Sequence, residues 1–320
     1  MRLRTTIIWL ASLLAAALAI ADDSAPALLA AGRVDDAITS LRSKIAASPN
    51  DAEAHNLLCR AYFSVGDWDR GISACEKAVA LAPNNSRYHL WLGRVYGEKA
   101  DSSNFISAAS LAGKVRTEFE TAVRLGPDSE DARSDLGEFY LEAPGIVGGG
   151  RDKAEAQAKT LSTLDPAKAH WLNGRIAEKR KDLITAEKEY RAAIDASHGS
   201  ALNWFNLALF YRHQQRWDEM EDAINRAVSA QMDRPEIVME AGEVLIRTGR
   251  NFPAAVRFLR RYLSSTSKVE EAPAFKAHYL LGTALEKQGD KQAAAQEYRA
   301  ALSLAKDFSR AQEALNRLNR

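Results

Sequence analysis

Residues 52–85 read AEAHNLLCRAYFSVGDWDRGISACEKAVALAPNN, and the pattern of this stretch returns along most of the 320-residue chain at a spacing of 34. Numbered from Ala52, the unit has Gly66-Asp67 at positions 15 and 16 and Pro83 at position 32. Apolar residues at Leu58 and Tyr62, then at Ile72, Cys75 and Val79, keep a helical period on each side of the Gly-Asp pair. The spacing predicts a helix A over about 52–65 and a helix B over about 69–82. Glycine tolerates the left-handed conformation that ends the first helix, and Asp67 offers an oxygen to cap the second. Pro83-Asn84-Asn85 stops helix B before the next unit. Self-similarity at this period signals stacked helical hairpins, each burying its apolar face on its neighbours.

These positions resemble the tetratricopeptide repeat family, whose pattern has Leu at position 7, a small residue at 8, Tyr at 11, Ala at 20 and 27, an aromatic at 24 and Pro at 32. Leu58, Cys59, Tyr62, Ala78 and Pro83 fit, while Gly71 and Cys75 stand at 20 and 24. Trp204, Leu207, Ala208, Tyr211, Ile224 and Ala227 repeat the pattern, as do Leu281, Gly282, Ala294, Tyr298 and Ala301. Less regular copies surround Leu92-Gly93, Leu136-Gly137, Gly174 and Gly242. The resemblance implies an all-α, right-handed superhelix (an α-solenoid) of about eight hairpins. Its units fall at about 22–51, 52–85, 86–129, 130–166, 167–200, 201–234, 235–274 and 275–308, with a capping helix at 309–320.

The spacing of closing prolines locates insertions. Pro49 to Pro83 is 34, Pro83 to Pro127 is 44 and Pro127 to Pro166 is 39, which places extra residues near 100–111 and 143–151. A third insertion falls near 264–273, because Gly249 and Gly289 are 40 apart. All three are expected to be loops.

The first residues carry a leader pattern: Arg2 and Arg4, an apolar run from Ile7 to Ile20, and Ala19-Ile20-Ala21 before Asp22-Asp23. The run is short for a membrane span, so cleavage after Ala21 (a signal peptide at 1–21) and a periplasmic or secreted protein are expected. With 43 basic and 42 acidic residues, no net field favours nucleic acid or anionic lipid. Export places Cys59 and Cys75 where disulfides persist. Each lies eight residues from Asp67 on opposite sides of the turn, so the pair could bridge or could pack as two small buried thiols.

Candidate chemistry thins out in the repeat frame. His55, His89, His170 and His278 all occupy position 4 of separate units, which argues for packing against a neighbouring hairpin. His198 and His213 stand alone, and no Cys/His set has ligand spacing, so no metal, cofactor or catalytic site is expected. Gly145 to Gly150 has the spacing of a phosphate loop, but Arg151-Asp152 follow where Lys-Ser/Thr is needed. The resemblance implies that helix A lines a concave surface through positions 2, 5, 9 and 12. Asn56, Arg60, Arg94, Trp171, Arg175, Phe205, Leu209, Arg212, Met239 and Tyr279 are the candidate partner-binding residues there. Aromatic side chains beside Arg are what protein hot spots use. The expectation is a non-catalytic scaffold or adaptor of the cell envelope that holds a protein or peptide in this groove. The alternatives are a carbohydrate-binding accessory of polysaccharide or secretion machinery, with Trp171, Phe205 and Tyr279 on one exposed face, or docking through the inserted loops 100–111 and 143–151.

Overall fold

The computed structural model describes residues 24–230 and 234–318; the expected leader, 1–21, lies outside the described residues. A short opening hairpin, α1 (Ala25–Ala30) and α2 (Val34–Ala47), leads into the unit that sets the period, α3 (Ala52–Val65) and α4 (Trp68–Leu81). Next come α5 (Ser86–Asp101) with α6 (Phe105–Leu125), α7 (Glu130–Glu142) with α8 (Arg151–Leu164), and α9 (Pro166–Lys179) with α10 (Leu183–Ala196). The last hairpins are α11 (Ala201–His213) with α12 (Trp217–Ser229), α13 (Glu236–Arg247) with α14 (Phe252–Ser264), and α15 (Ala274–Lys287) with α16 (Lys291–Leu304), closed by α17 (Ser309–Leu318).

Local chemistry explains the boundaries. Gly66 ends α3 at φ 78°, and the Asp67 carboxylate accepts the Arg70 amide to start α4. The same Asx cap starts α10 at Asp182 and α16 at Asp290. Within a hairpin the helices approach where one side lacks bulk: a Cβ at Gly93 would stand 2.4 Å from the Phe119 ring, and one at Gly282 would stand 2.7 Å from that of Tyr298. Between hairpins, Tyr96 donates to Glu76, Tyr140 to Glu120 and Tyr211 to Glu187, at 2.6, 2.9 and 2.8 Å. Each bond ties a helix A to the preceding helix B. Helix A of one unit also touches helix A of the next, as in α3 with α5, α7 with α9 and α13 with α15, which makes the A helices the inner wall of the superhelix.

The stack turns far enough for its ends to meet. Phe275, Ala301, Ala305 and Phe308 share one apolar core with Leu28, Leu29, Val34 and Leu58. The Lys306 amide donates to Asp35 Oδ2 at 2.9 Å, and Arg70 faces Asp307 at 3.6 Å. Gly32, at φ 74°, lies so close to α15 that a Cβ there would stand 2.4 Å from the Ala274 nitrogen. Sequence periodicity predicts an open groove; contacts between the first and last hairpins make a ring.

Three further readings of the sequence meet the structure differently. The insertion at 100–111 is not a loop: α5 and α6 lengthen instead, and only 102–104 turn between them. The other two insertions are irregular, 143–150 with a single 3₁₀ turn at Gly145–Val147 and 265–273 between α14 and α15. The position-4 histidines bind inside their own hairpins, where His89 meets Glu118 (2.6 Å), His170 meets Glu189 (2.8 Å) and His278 meets Glu297 (2.7 Å). His55 instead contacts the Pro49 carbonyl at 3.0 Å. Cys59 and Cys75 form a disulfide that staples α3 to α4, with Cα atoms 5.2 Å apart.

Candidate docking surfaces: an occupied inner wall and an apolar rim

The predicted groove residues separate by their place in the repeat. Those at position 5 lie in the seam between neighbouring A helices. Asn56, Phe205 and Met239 are buried there, with 0%, 5% and 0% exposure, and are not open to a partner. The sequence frame missed this because neighbouring A helices pack closely enough to seal this offset in some units. Trp171 and Tyr279, also at position 5, stay half-buried. Since Phe205 is sealed, Trp171, Phe205 and Tyr279 form no common exposed aromatic face of the kind a sugar would stack on.

Positions 2 and 9 do line the interior, and their charges are largely answered. Arg94 binds Asp135 at 2.6 Å. Arg175 binds Glu138 at 2.6 Å and Glu142 at 3.0 Å. Lys276 binds Glu243 at 2.9 Å, and Lys168 binds Asp131 at 2.7 Å. Burial pushes the Asp135 and Glu138 carboxyls up against the pull of their arginines. Burial also acts on Asp131, but Lys168 outweighs it and holds that carboxyl below its ordinary value. Glu240, with no ion-pair partner among the described residues, is pushed up to about 7, chiefly by burial and then by Glu236 and Glu243 beside it. Arg212 has no carboxylate partner among them either; burial and the nearby Arg247 lower its pKa, and it donates to His213 Nε2 at 2.9 Å.

Two cavities open on this wall. Trp171, Arg175 and Leu209 come together with Glu178 and His213 around about 250 Å³. Arg60, Arg94 and Tyr279 come together where the ring closes, around about 570 Å³ shared by the first and last repeats. The second cavity contains Trp91, with the guanidiniums of Arg60 and Arg94 at 4.9 and 5.1 Å from its ring centre. Phe63 meets the Trp91 ring edge-on at 5.6 Å.

The rim tells the opposite story. In stacked antiparallel hairpins every A–B turn falls on one edge, and side chains here stitch that edge: Lys179 binds Glu142 at 2.6 Å, and Arg116 donates to the Val147 carbonyl at 3.3 Å. Along it lie Phe105 and Ile106, Ile146, and Leu183 and Ile184, the exposed large hydrophobic side chains among the described residues. Ile146 is 93% exposed, Ile184 87% and Ile106 82%. They occupy three consecutive units. Phe105 and Ile106 begin α6, whose 21 residues exceed the 14 of α4 by about 10 Å of helix. Ile106 and Ile146 fall inside two of the three inserted segments, where the legible signal is large apolar residues in place of polar turn residues. Leu183-Ile184 carries the same signal just after the Asp182 cap, outside any inserted segment.

The glycine loop beneath Ile146 holds no phosphate seat. The amides of Gly148, Gly149 and Gly150 donate to the carbonyls of Gly145, Pro144 and Tyr140 at 3.0, 3.2 and 2.8 Å. A Cβ at Gly149 would stand 1.7 Å from the Ala143 oxygen, so close backbone approach explains that glycine. Among the described residues no group of three or more His, Cys, Asp or Glu could hold a metal ion, and no helix is long and apolar enough to cross a membrane.

Sequence models of the tetratricopeptide repeat match residues 28–95 and 239–307, the two flanks of the ring closure. The chain is a tetratricopeptide repeat protein. No curated protein sequence matches it. Among solved structures it is similar to a thermophilic tetratricopeptide repeat protein of Thermus thermophilus, 20% identical with a TM-score of 0.48 over 57% of this chain and 93% of that one. It is also similar to MamA, at 22% identity and a TM-score of 0.40 over 52% of this chain and 89% of that chain. A tetratricopeptide repeat protein of Parabacteroides merdae gives 15% identity and a TM-score of 0.42 over 84% and 99%. The repeat fold is that of a protein- or peptide-binding scaffold, and such proteins are generally non-catalytic.

Proposed function

We propose that this tetratricopeptide repeat protein is an exported scaffold of the cell envelope that docks a partner protein on the turn rim of its third to fifth units. One observation carries the reading: the exposed Phe105, Ile106, Ile146, Leu183 and Ile184 all lie in or directly after the A–B turns of three consecutive units. Single exposed apolar residues are ordinary, and it is their recurrence beside three successive turns that supports a docking role. The inner wall is the weaker candidate, because a partner there would compete with ion pairs already made and with the closed ends of the ring. Export is supported by the leader pattern of residues 2–21 and by the Cys59–Cys75 disulfide, which persists in oxidising compartments.

The test compares three proteins as bait in envelope extract from the source cells. They are the wild type, Ile106→Asp/Ile146→Asp/Ile184→Asp, and Trp171→Ala/Leu209→Ala. The rim variant is expected to lose a partner that the inner-wall variant keeps. Equal recovery by the wild type and the rim variant would remove the rim from the account.

A further inference from the structure

Four units bind the outer side of their hairpin by one rule, and the second unit departs from it. In the third unit His89 is held at both ring nitrogens, with Nε2 2.9 Å from the Pro83 carbonyl and Nδ1 2.6 Å from Glu118 of α6. Arg133 does the same in the fourth, donating to the Pro127 carbonyl at 2.6 Å and to Gln157 of α8 at 3.1 Å. His170 and His278 reach Glu189 and Glu297, each 19 residues on, at 2.8 and 2.7 Å. Every one of these bonds runs from position 4 of helix A to the same place on helix B. His55 is pinned as His89 is, with Nε2 3.0 Å from the Pro49 carbonyl six residues back. The residue 19 on from it is Ala74, which has no carboxylate to offer. Among the four position-4 histidines only His55 lacks a carboxylate, and its Nδ1 has no partner among the described residues.

In the second unit this place is a groove of about 660 Å³, whose lining includes His55, Leu58, Tyr62, Arg70, Ala74 and Lys77. At about 100° per residue His55, Leu58 and Tyr62 lie on the face of α3 opposite Asn56 and Arg60, so the groove opens outward and not on the inner wall. Its charge is positive. Lys77 has no ion-pair partner among the described residues, and Arg70, shared between Asp67 and Asp307, lies over the Tyr62 ring at 4.7 Å. Arg42 donates to the Tyr62 hydroxyl at 2.7 Å. The one carboxylate in the lining, Glu76, already accepts from Tyr96. A carbonyl oxygen only accepts, so Nε2 of His55 carries a proton, and Nδ1 becomes a donor when the ring takes up a second. The imidazolium is then a charge-assisted donor with no acceptor of its own. The sixth unit also has alanine on helix B, Ala223, but there Trp204 stands at position 4 beneath Arg226 and needs no carboxylate.

We propose that this outer groove binds a glutamate side chain from an acidic segment of a partner protein. Its carboxylate takes at His55 Nδ1 the place that Glu118, Glu189 and Glu297 take in their own units, with Lys77 as the second cation. The site lies on the second unit, apart from the turns of units three to five, and stands whether or not those turns dock a protein.

The probe is a fluorescein-labelled hexaglutamate peptide, titrated against the full protein by anisotropy at pH 6 and low salt. Ala74→Glu gives the second unit the residue that the third, fifth and eighth already carry, and so fills the site from within. It is expected to weaken binding about tenfold, the effect of one charge-assisted hydrogen bond, and His55→Ala to weaken it by a similar factor. Ile184→Glu, which adds the same charge on the exposed rim, is expected to leave binding unchanged. Nitrogen-15 spectra of the histidine rings supply a readout that needs no variant. Hexaglutamate is expected to shift His55 Nδ1 of the wild type and to leave His89, His170 and His278 in place, and a hexalysine control to move none of them. Equal binding by Ala74→Glu, equal weakening by Ile184→Glu, or an unmoved His55 would each overturn the proposal.

Discussion

The ring closure and the turn rim of units three to five are built from opposite materials. At the closure, charge is abundant and nearly all of it is spent: Arg60 on Glu270, Arg94 on Asp135, Lys276 on Glu243. At the rim, Ile106, Ile146 and Ile184 face solvent with nothing over them. A solenoid offers its concave wall by default, and this chain has used much of that wall to hold its own ends together. Binding capacity is then left where the repeats were lengthened or interrupted. Insertions that leave the core alone but carry apolar tips are easier to read as acquired contacts than as packing, since the tips themselves face solvent.

Breaking the closure has the largest expected effect. Arg60→Ala leaves the Glu270 carboxylate enclosed without its partner, and removal of one member of a buried pair costs about 3–5 kcal/mol. The chain escapes that cost by opening, so small-angle scattering should show a larger radius of gyration and calorimetry a lower first transition. Unchanged scattering would mean that the apolar contacts of Phe275 and Phe308 close the ring unaided. Cutting the Cys59–Cys75 staple comes next. It closes a loop with a sequence separation of 16, worth about 3 kcal/mol by chain entropy, so Cys59→Ser/Cys75→Ser or reduction should lower the stability of the unit that carries Arg60 by that order.

The third test uses pH. Glu240 has a folded pKa of about 7 against an ordinary 4.5, so the native state holds its proton more tightly than the unfolded chain does. Its contribution is then fully present below pH 4.5 and is lost as pH rises through 7, at most about 3 kcal/mol less whatever solvent screens. Glu240→Gln should therefore be more stable than the wild type at pH 8, with little difference from it near pH 4.5. Equal melting temperatures at pH 8 would show that Lys276 and Arg234 already compensate the charge. The smallest effect belongs to the rim: Ile106→Asp, Ile146→Asp and Ile184→Asp should each change stability by no more than about 0.5 kcal/mol, because these side chains bury nothing. A larger loss would mark them as core.

Local periodicity made the hairpins legible. The bounds of α3 and α4, the small-residue contacts such as Gly282 on Tyr298 and the facing cysteines all follow from offsets within one unit. The closure did not follow, because the Arg60–Glu270 contact depends on rotation accumulated over six hairpins, which no single offset records. The same accumulated curvature sealed Asn56, Phe205 and Met239 while leaving Arg60, Arg175 and Leu209 on the inner surface. Helix propensity decided the first insertion: Ala108, Ala109, Leu111 and Ala112 are strong helix formers, and α6 grew through them where spacing alone suggested a loop.

The claim that matters most is that a partner meets the rim before it meets the inner wall. A photo-crosslinking amino acid placed at Ile146 in one protein and at Trp171 in another, each irradiated in envelope extract, tests it directly. The account predicts a discrete partner adduct from position 146 and none from 171. An adduct from 171 with none from 146 would return the binding site to the groove and contradict it.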